Sequence, residues 1–227
     1  MAKIISDDVK LLGAWPSVFV MRPRIALNIK SVDYEFLEET LGCKSQLLLQ
    51  SNSVHKKVPV LIHAGKPICE SLIIVQYIDE VWSSEPSILP SDPHDRAIAR
   101  FWASYVDDKW FPSLRLVIGA EGERTAALID QVTEGLVLLE EAFCNKKAAF
   151  FGGDHIGFLD IALGSMLGWL RVTENMVGVK LLDEAKTPWL VQWAENFCAD
   201  AAVKGPMPQT EKLVEFAKGL LTRMRGS

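Results

Sequence analysis

Three short stretches of this chain carry side chains whose type and spacing could do chemistry. Trp15-Pro16-Ser17 places a hydroxyl where an apolar strand pattern gives way to a helical one. The first N–H groups of a helix lack partners and its dipole is positive there, so an anion docked beside Ser17 would be stabilised. Serine is equally at home at that position as a plain N-cap, and the motif alone leaves both readings open. Glu70-Ser71 repeats the situation before the next helical pattern, with Ser as a cap and Glu as a first-turn charge, or both facing a ligand. Val58-Pro59 opens a strand. Proline there lacks a donor and holds its predecessor extended, and about 5–6% of X–Pro bonds are cis.

Periodicity supplies the elements that position these groups. Residues 9–12 read as a strand, ended by Gly13-Ala14-Trp15-Pro16, and a helix runs from about Ser17 to Lys30. Residues 34–38 alternate as a second strand. After a long loop, residues 58–63 form a third strand, turned by Ala64-Gly65-Lys66-Pro67 into a short fourth at Ile68-Cys69, and residues 71–82 are helical. The order is βαβ, a loop, then ββα, which implies a parallel pair through a right-handed crossover and an antiparallel pair at Gly65.

Residues 83–93 are polar and hold three prolines, as a linker would. Everything beyond is helical in period: Ile98, Phe101, Trp102 and Tyr105; Leu128, Val132, Leu136, Leu139 and Phe143; Trp189, Leu190, Trp193 and Phe197; Leu213, Phe216, Ala217, Leu220 and Met224. The expectation is an α/β domain over 1–83, a linker over 84–92 and an all-α domain over 93–227. Gly157 sits where an N-cap belongs, with Asp160 able to reach back to its N–H and Ile156 and Ile161 placed as a hydrophobic staple.

Composition narrows the function. A net charge of −5 and the absence of any basic cluster larger than His55-Lys56-Lys57 exclude a nucleic-acid binder. The opening residues turn acidic where a secretory leader would be apolar, and no apolar run reaches the roughly 18 residues that span a bilayer. Cys43, Cys69, Cys144 and Cys198 are scattered, without a CxxC or a pairing with the four histidines. They are expected to be reduced and mostly buried, in a cytoplasmic protein with no metal site and no membrane association.

Together these stretches resemble a known family. Leu12-Gly13-Ala14-Trp15-Pro16-Ser17, Arg24-Ile25-Ala26-Leu27-Asn28, residues 52–61 (NSVHKKVPVL) and Lys66-Pro67-Ile68-Cys69-Glu70-Ser71 resemble the plant tau-class glutathione transferases. The resemblance runs from about Val9 to Leu221. It implies a thioredoxin-like βαβ-α-ββα domain that binds glutathione, followed by an all-α domain contributing the electrophile pocket. It also implies a homodimer, glutathione as co-substrate, and no permanently bound cofactor. Carried over by position, Ser17 would donate its hydroxyl to the glutathione sulfur, and Phe19 would help wall the sulfur site. Val58, held by a cis Pro59, would pair its backbone with the cysteinyl part. Ser71 would take the γ-glutamyl carboxylate and Glu70 the ammonium, while Lys44 and Lys57 would meet the glycyl carboxylate. Trp15, Phe111, Arg115 and Trp169 would line the electrophile pocket, although as aromatics Phe111 and Trp169 are equally candidates for core. Val18 stands where the class often has Pro, Pro23 falls inside the first helix, and Gly157 stands where many members have Ser or Thr.

The implied reaction is attack by the bound thiolate on hydrophobic electrophiles, as in detoxification, with glutathione peroxidase activity at its side. A free thiol of pKa about 8.5 is only about 3% ionised at pH 7. Lowering that pKa by two units makes about three-quarters thiolate and needs about 2.7 kcal/mol of preferential anion stabilisation. One charge-assisted O–H···S⁻ bond and one helix dipole are of that order. A thiol reductase on this frame would need a cysteine at the helix opening, and position 17 is serine. A non-catalytic carrier of apolar ligands or glutathione conjugates is the alternative.

Overall fold

The computed structural model describes residues 8–40, 42–144 and 148–225. The opening residues read as too acidic for a leader lie almost wholly outside that range, as does the side chain of Met224. A four-stranded sheet of order β2-β1-β3-β4 is built from β1 (Val9–Gly13), β2 (Glu35–Glu38), β3 (Val60–His63) and β4 (Lys66–Cys69). β1 and β2 are parallel, while β3 is antiparallel to both of its neighbours. Side-chain alternation covers the sheet on two sides. Val9, Leu11 and Leu61 join the main core with α1 (Val18–Ile29) and α3 (Ser71–Val81), and Leu12 and Val60 pack with Leu48 of α2 (Gln46–Ser51).

Two local readings are corrected. The segment read as a long loop contains α2, whose six residues bury only Leu48, too few for a periodic signal. The third strand begins at Val60 rather than Val58, because Leu12–Val60 is the last pair of the β1–β3 ladder. The β3–β4 hairpin turns at Ala64 (φ 49°) and Gly65 (φ 71°), the paired positive φ that a two-residue hairpin loop requires.

Every named element of the second half is a helix among the described residues. α4 (Pro93–Tyr105) is capped by Asp92, which accepts from the N–H groups of His94 and Asp95, and runs through a π-helical turn (Val106–Trp110) into α5 (Phe111–Val117). Then follow α6 (Glu123–Phe143), α7 (Phe158–Gly164), α8 (Leu167–Val177), α9 (Pro188–Ala199), α10 (Ala201–Lys204) and α11 (Thr210–Arg225). The α6 stripe is fully buried, as are Leu190, Trp193 and Phe197. The α4 stripe is not: Ile98 and Phe101 are 38% and 61% exposed, and Ala103 is the residue that helix buries. Among the described residues no helix is long and apolar enough to cross a membrane.

Two polar knots fix the frame. Lys30 is buried, and its three ammonium donors reach Asp79 at 2.8 Å and the carbonyls of Ser84 and Pro86 at 2.7 and 2.9 Å. Asp79 also accepts from the N–H groups of Ile88 and Leu89, so the stretch proposed as the linker is fastened to α1 and α3. In the second knot Asp160 accepts from Gly157 N–H at 2.8 Å, as read from the sequence. It also accepts from Phe151 and Gly152 N–H and from the Trp193 indole. Burial pushes its pKa up to about 6 against the pull of these four donors. The cysteines are free, but Cys43 and Cys144 are exposed and the other two half-buried, so the expectation of mostly buried thiols fails. At the α4 start, Asp92, His94 and Asp95 gather potential ligand atoms, an arrangement the capping bonds of Asp92 account for.

Candidate active site

β1 delivers the chain to α1 at Gly13, where a Cβ would lie 2.8 Å from the Phe36 ring, so α1 can begin this close to the sheet only with glycine there. Ser17 is the N-cap, with extended backbone (φ −82°, ψ 118°), and its hydroxyl oxygen accepts from Val20 N–H at 3.4 Å. The capping role and the chemical one are therefore compatible. The oxygen accepts on the helix side, and the hydroxyl keeps its proton to donate elsewhere. Pro23 does fall inside α1, as the sequence indicated.

Val58–Pro59 is a cis peptide bond. Pro59 is buried and Val58 half-buried, just past the end of the β1–β3 ladder. The loop before it is held by Asn52, whose side chain accepts from His55 N–H and donates to the Lys57 carbonyl, each at 3.0 Å. Lys44, Lys56 and Lys57 line a recess of ≈190 Å³ with Thr40, Leu48 and Val58. Glu39 also lines it, with its carboxylate accepting from the N–H and hydroxyl of Ser45, so three lysines against one carboxylate leave the recess net positive. A second recess, of ≈210 Å³ and lined by Ile88, Ile98 and Phe151 among others, lies apart from these groups.

Glu70 and Ser71 differ from the capping reading. Glu70 occupies the N-cap position of α3 with φ 70° and makes no side-chain capping bond, and Ser71 is the first helical residue. A non-glycine residue at φ 70° with ψ 119° lies outside the left-handed helical region and is uncommon. The Glu70 carboxylate is exposed, 3.8 Å from His55, whereas Ser71 is buried and its hydroxyl accepts from Arg22 at 3.1 Å. The adjacent Cys69 thiol has its pKa raised by burial and then by the Glu70 charge.

Arg22 and Asp107 were not singled out in the sequence. Arg22 is 0% exposed, and all five of its N–H donors are used. They reach Ser165 Oγ (3.2 Å), Ser71 Oγ (3.1 Å), both Asp107 oxygens (2.8 and 2.5 Å) and the Ala162 carbonyl (3.0 Å). A guanidinium so occupied holds the α3 N-terminus against the helical domain and has nothing left for a ligand. Arg22, directly after the apolar run Val18-Phe19-Val20-Met21 and one turn from its start on the same helix, was the available signal, since a charge on a buried face must be paired. Its partner lies 85 residues away.

The aromatic candidates fall into two groups. Phe111 is buried, meets Phe19 edge-on at 5.8 Å and lies under Arg115 at 6.0 Å. Trp15 and Trp169 both meet Phe216 of α11, at 5.4 and 6.3 Å, and Lys212 stands 4.4 Å over the Trp15 ring.

A four-stranded sheet of this order backed by helices, with a helix opening at Ser17 and a cis proline leading into β3, is a thioredoxin-like frame, and sequence comparison agrees. Residues 7–80 match the glutathione S-transferase N-terminal domain family and residues 122–196 the C-terminal domain family. The chain is 64% identical over 222 residues to glutathione S-transferase U17 of Arabidopsis thaliana, covering 96% of this chain and 98% of that protein. It superposes on the tau-class glutathione S-transferase of mango, Mangifera indica, with TM-score 0.92 and 67% identity, covering 96% of this chain and all of that one. A rice enzyme, GST1 in complex with glutathione, aligns with TM-score 0.87 and 37% identity over 95% of this chain and 97% of its own. The chain belongs to the glutathione S-transferase family, in its tau class.

Proposed function

We propose that this protein binds glutathione along the edge running from Ser17 past Val58 to Glu70 and Ser71, and transfers its sulfur to apolar electrophiles. One observation carries this reading: the Ser17 hydroxyl sits at the N-terminus of a twelve-residue helix, with its oxygen occupied by Val20 N–H and its proton free to donate. A sulfur docked there gains a charge-assisted hydrogen bond and the positive helix end, both stronger for thiolate than for thiol. The Lys44–Lys57 recess would take the glycyl carboxylate, and the backbone of Val58 the cysteinyl part. The α3 N-terminus with Ser71 would take the γ-glutamyl carboxylate, and exposed Glu70 its ammonium. Glutathione is then a co-substrate rather than a resident group. The electrophile would lie between Phe19, Phe111 and Arg115 on one side and Trp15 and Phe216 on the other.

In Ser17→Ala, glutathione affinity should stay nearly intact while the midpoint of the pH dependence of kcat/KM, read with a chloro-nitroaromatic, rises by about one unit or more. An unchanged midpoint rejects the role. A homodimer, with each copy covering exposed Ile73 and Phe101 of the other, completes the reading and is tested by sedimentation.

A further inference from the structure

The loop that carries Ser17 is fastened from both domains. Trp15 N–H donates to Glu38 at the end of β2 at 2.9 Å, and Ser17 N–H donates to the Ala14 carbonyl at 3.0 Å. Pro16, between them, has a single backbone polar group, its carbonyl. That carbonyl accepts from the Trp169 indole N–H at 2.8 Å, across 153 residues and from the other domain. Pro16 C=O and Ser17 N–H belong to one planar peptide unit. With Ala14 holding one end of that plane and Trp169 the other, its rotation is fixed, and with it the direction in which Ser17 leaves the chain.

Trp169 is itself held. Its ring meets Phe216 edge-on at 6.3 Å and packs against the Val172 and Leu213 cluster, and its own carbonyl accepts from Thr173 at 2.9 Å. Lys212 and Phe216 of α11 bear on Trp15 from the same side. An indole packed this way presents one polar atom, and that atom is committed to the Pro16 carbonyl rather than left for a second substrate.

From this geometry, and resting on the role proposed for Ser17, we infer that Trp169 is a positioning residue for sulfur ionisation. Its N–H orients the Pro16–Ser17 peptide so that the Ser17 hydroxyl points at the thiolate, which makes ionisation in the N-terminal domain depend on α8. A wall of the electrophile pocket and a positioning donor differ in how their loss depends on pH. Loss of a wall lowers kcat/KM by the same factor at every pH. Loss of the donor weakens thiolate stabilisation, so the deficit is confined to pH below the thiol midpoint and vanishes once the sulfur ionises unaided.

Full pH profiles of kcat/KM should be measured on Trp169→Phe with two electrophiles of different size, alongside glutathione Kd. The midpoint should rise by about half a pH unit with both electrophiles, an approximately threefold loss on the acidic side. Activity should return to the wild-type level above both midpoints, and Kd should stay within about twofold of wild type. Should Trp169→Phe fold poorly, replacing Trp169 with benzothienylalanine keeps the bicyclic shape, substitutes sulfur for the N–H and should give the same shift. A pH-independent loss, or an unmoved midpoint in the folded isosteric variant, overturns the inference. Ser17→Ala run in parallel separates the two failures. If it raises the midpoint and the Trp169 variants do not, only the positioning role falls. If it leaves the midpoint unmoved, the Ser17 reading falls first.

Discussion

Asp107→Ala is expected to be far more damaging than its partly exposed surface position suggests. The change strips Arg22 of two of its five acceptors while the guanidinium stays 0% exposed. Leaving one partner of a buried pair uncompensated costs about 3–5 kcal/mol, and because the Asp107 side chain is 24% exposed, water entering from that side puts the cost near the lower end, about 3 kcal/mol. For a chain of this length that lowers Tm by about 6–12 °C. Arg22→Met combined with Asp107→Leu removes both charges and should lie within about 2 kcal/mol of wild type, less damaged than the single change. Equilibrium urea unfolding followed by tryptophan fluorescence at fixed protein concentration measures both, and calorimetric titration reads glutathione affinity, which should weaken in Asp107→Ala because the Arg22 group that donates to Ser71 loses the carboxylate that orients it. A loss below about 1 kcal/mol in Asp107→Ala, or a double variant worse than the single, refutes the dependence of Arg22 on that carboxylate.

Three further outcomes are expected. Asp160 is fully buried with its pKa pushed from 3.8 to about 6, so the unfolded chain releases the proton first. The stability this group contributes is therefore complete below about pH 4 and is lost, to about 3 kcal/mol, as pH rises to 6. The difference in urea midpoint between wild type and Asp160→Asn should fall over that range, and parallel curves would contradict it. Glu140→Ala should destabilise by about 2 kcal/mol, since that buried carboxylate accepts from the Trp189 and Leu190 N–H groups at the start of α9; a melt within error of wild type would count against it. Gly164→Ala sets a methyl inside the Phe197 ring envelope and should cost about 1–3 kcal/mol by thermal melt, with an unchanged Tm showing that α9 can yield.

What the sequence made legible was whatever is local. Gly13 to Ser17, Ala64-Gly65 and Gly157 with Asp160 are set by conformation and bonding within a few residues, and each sits where its spacing placed it. The buried stripe of α6 was legible because 21 residues repeat the period five times. Two kinds of feature were not legible. Periodicity cannot say which apolar face is covered: Ile98 and Phe101 share the helical period of the buried stripes and yet lie exposed. Pairings between distant residues leave no spacing signal: Arg22 finds Asp107, Ser71 and Ser165, and Asp160 finds Trp193, only through the fold. The bond from Trp169 to Pro16 is of the same kind, and the reading of Trp169 as pocket wall or core gave no hint of where its N–H would point.

The ionisation of glutathione's thiol in its complex with the protein can be followed directly by thiolate ultraviolet absorbance as pH is raised, in wild type and in Ser17→Ala. The expected result is a wild-type midpoint about two units below the free thiol, near 6.5, and a midpoint at least about one unit higher in the variant. Coincident titrations, or a wild-type midpoint near 8.5, would contradict the claim that the position-17 hydroxyl keeps the bound sulfur charged.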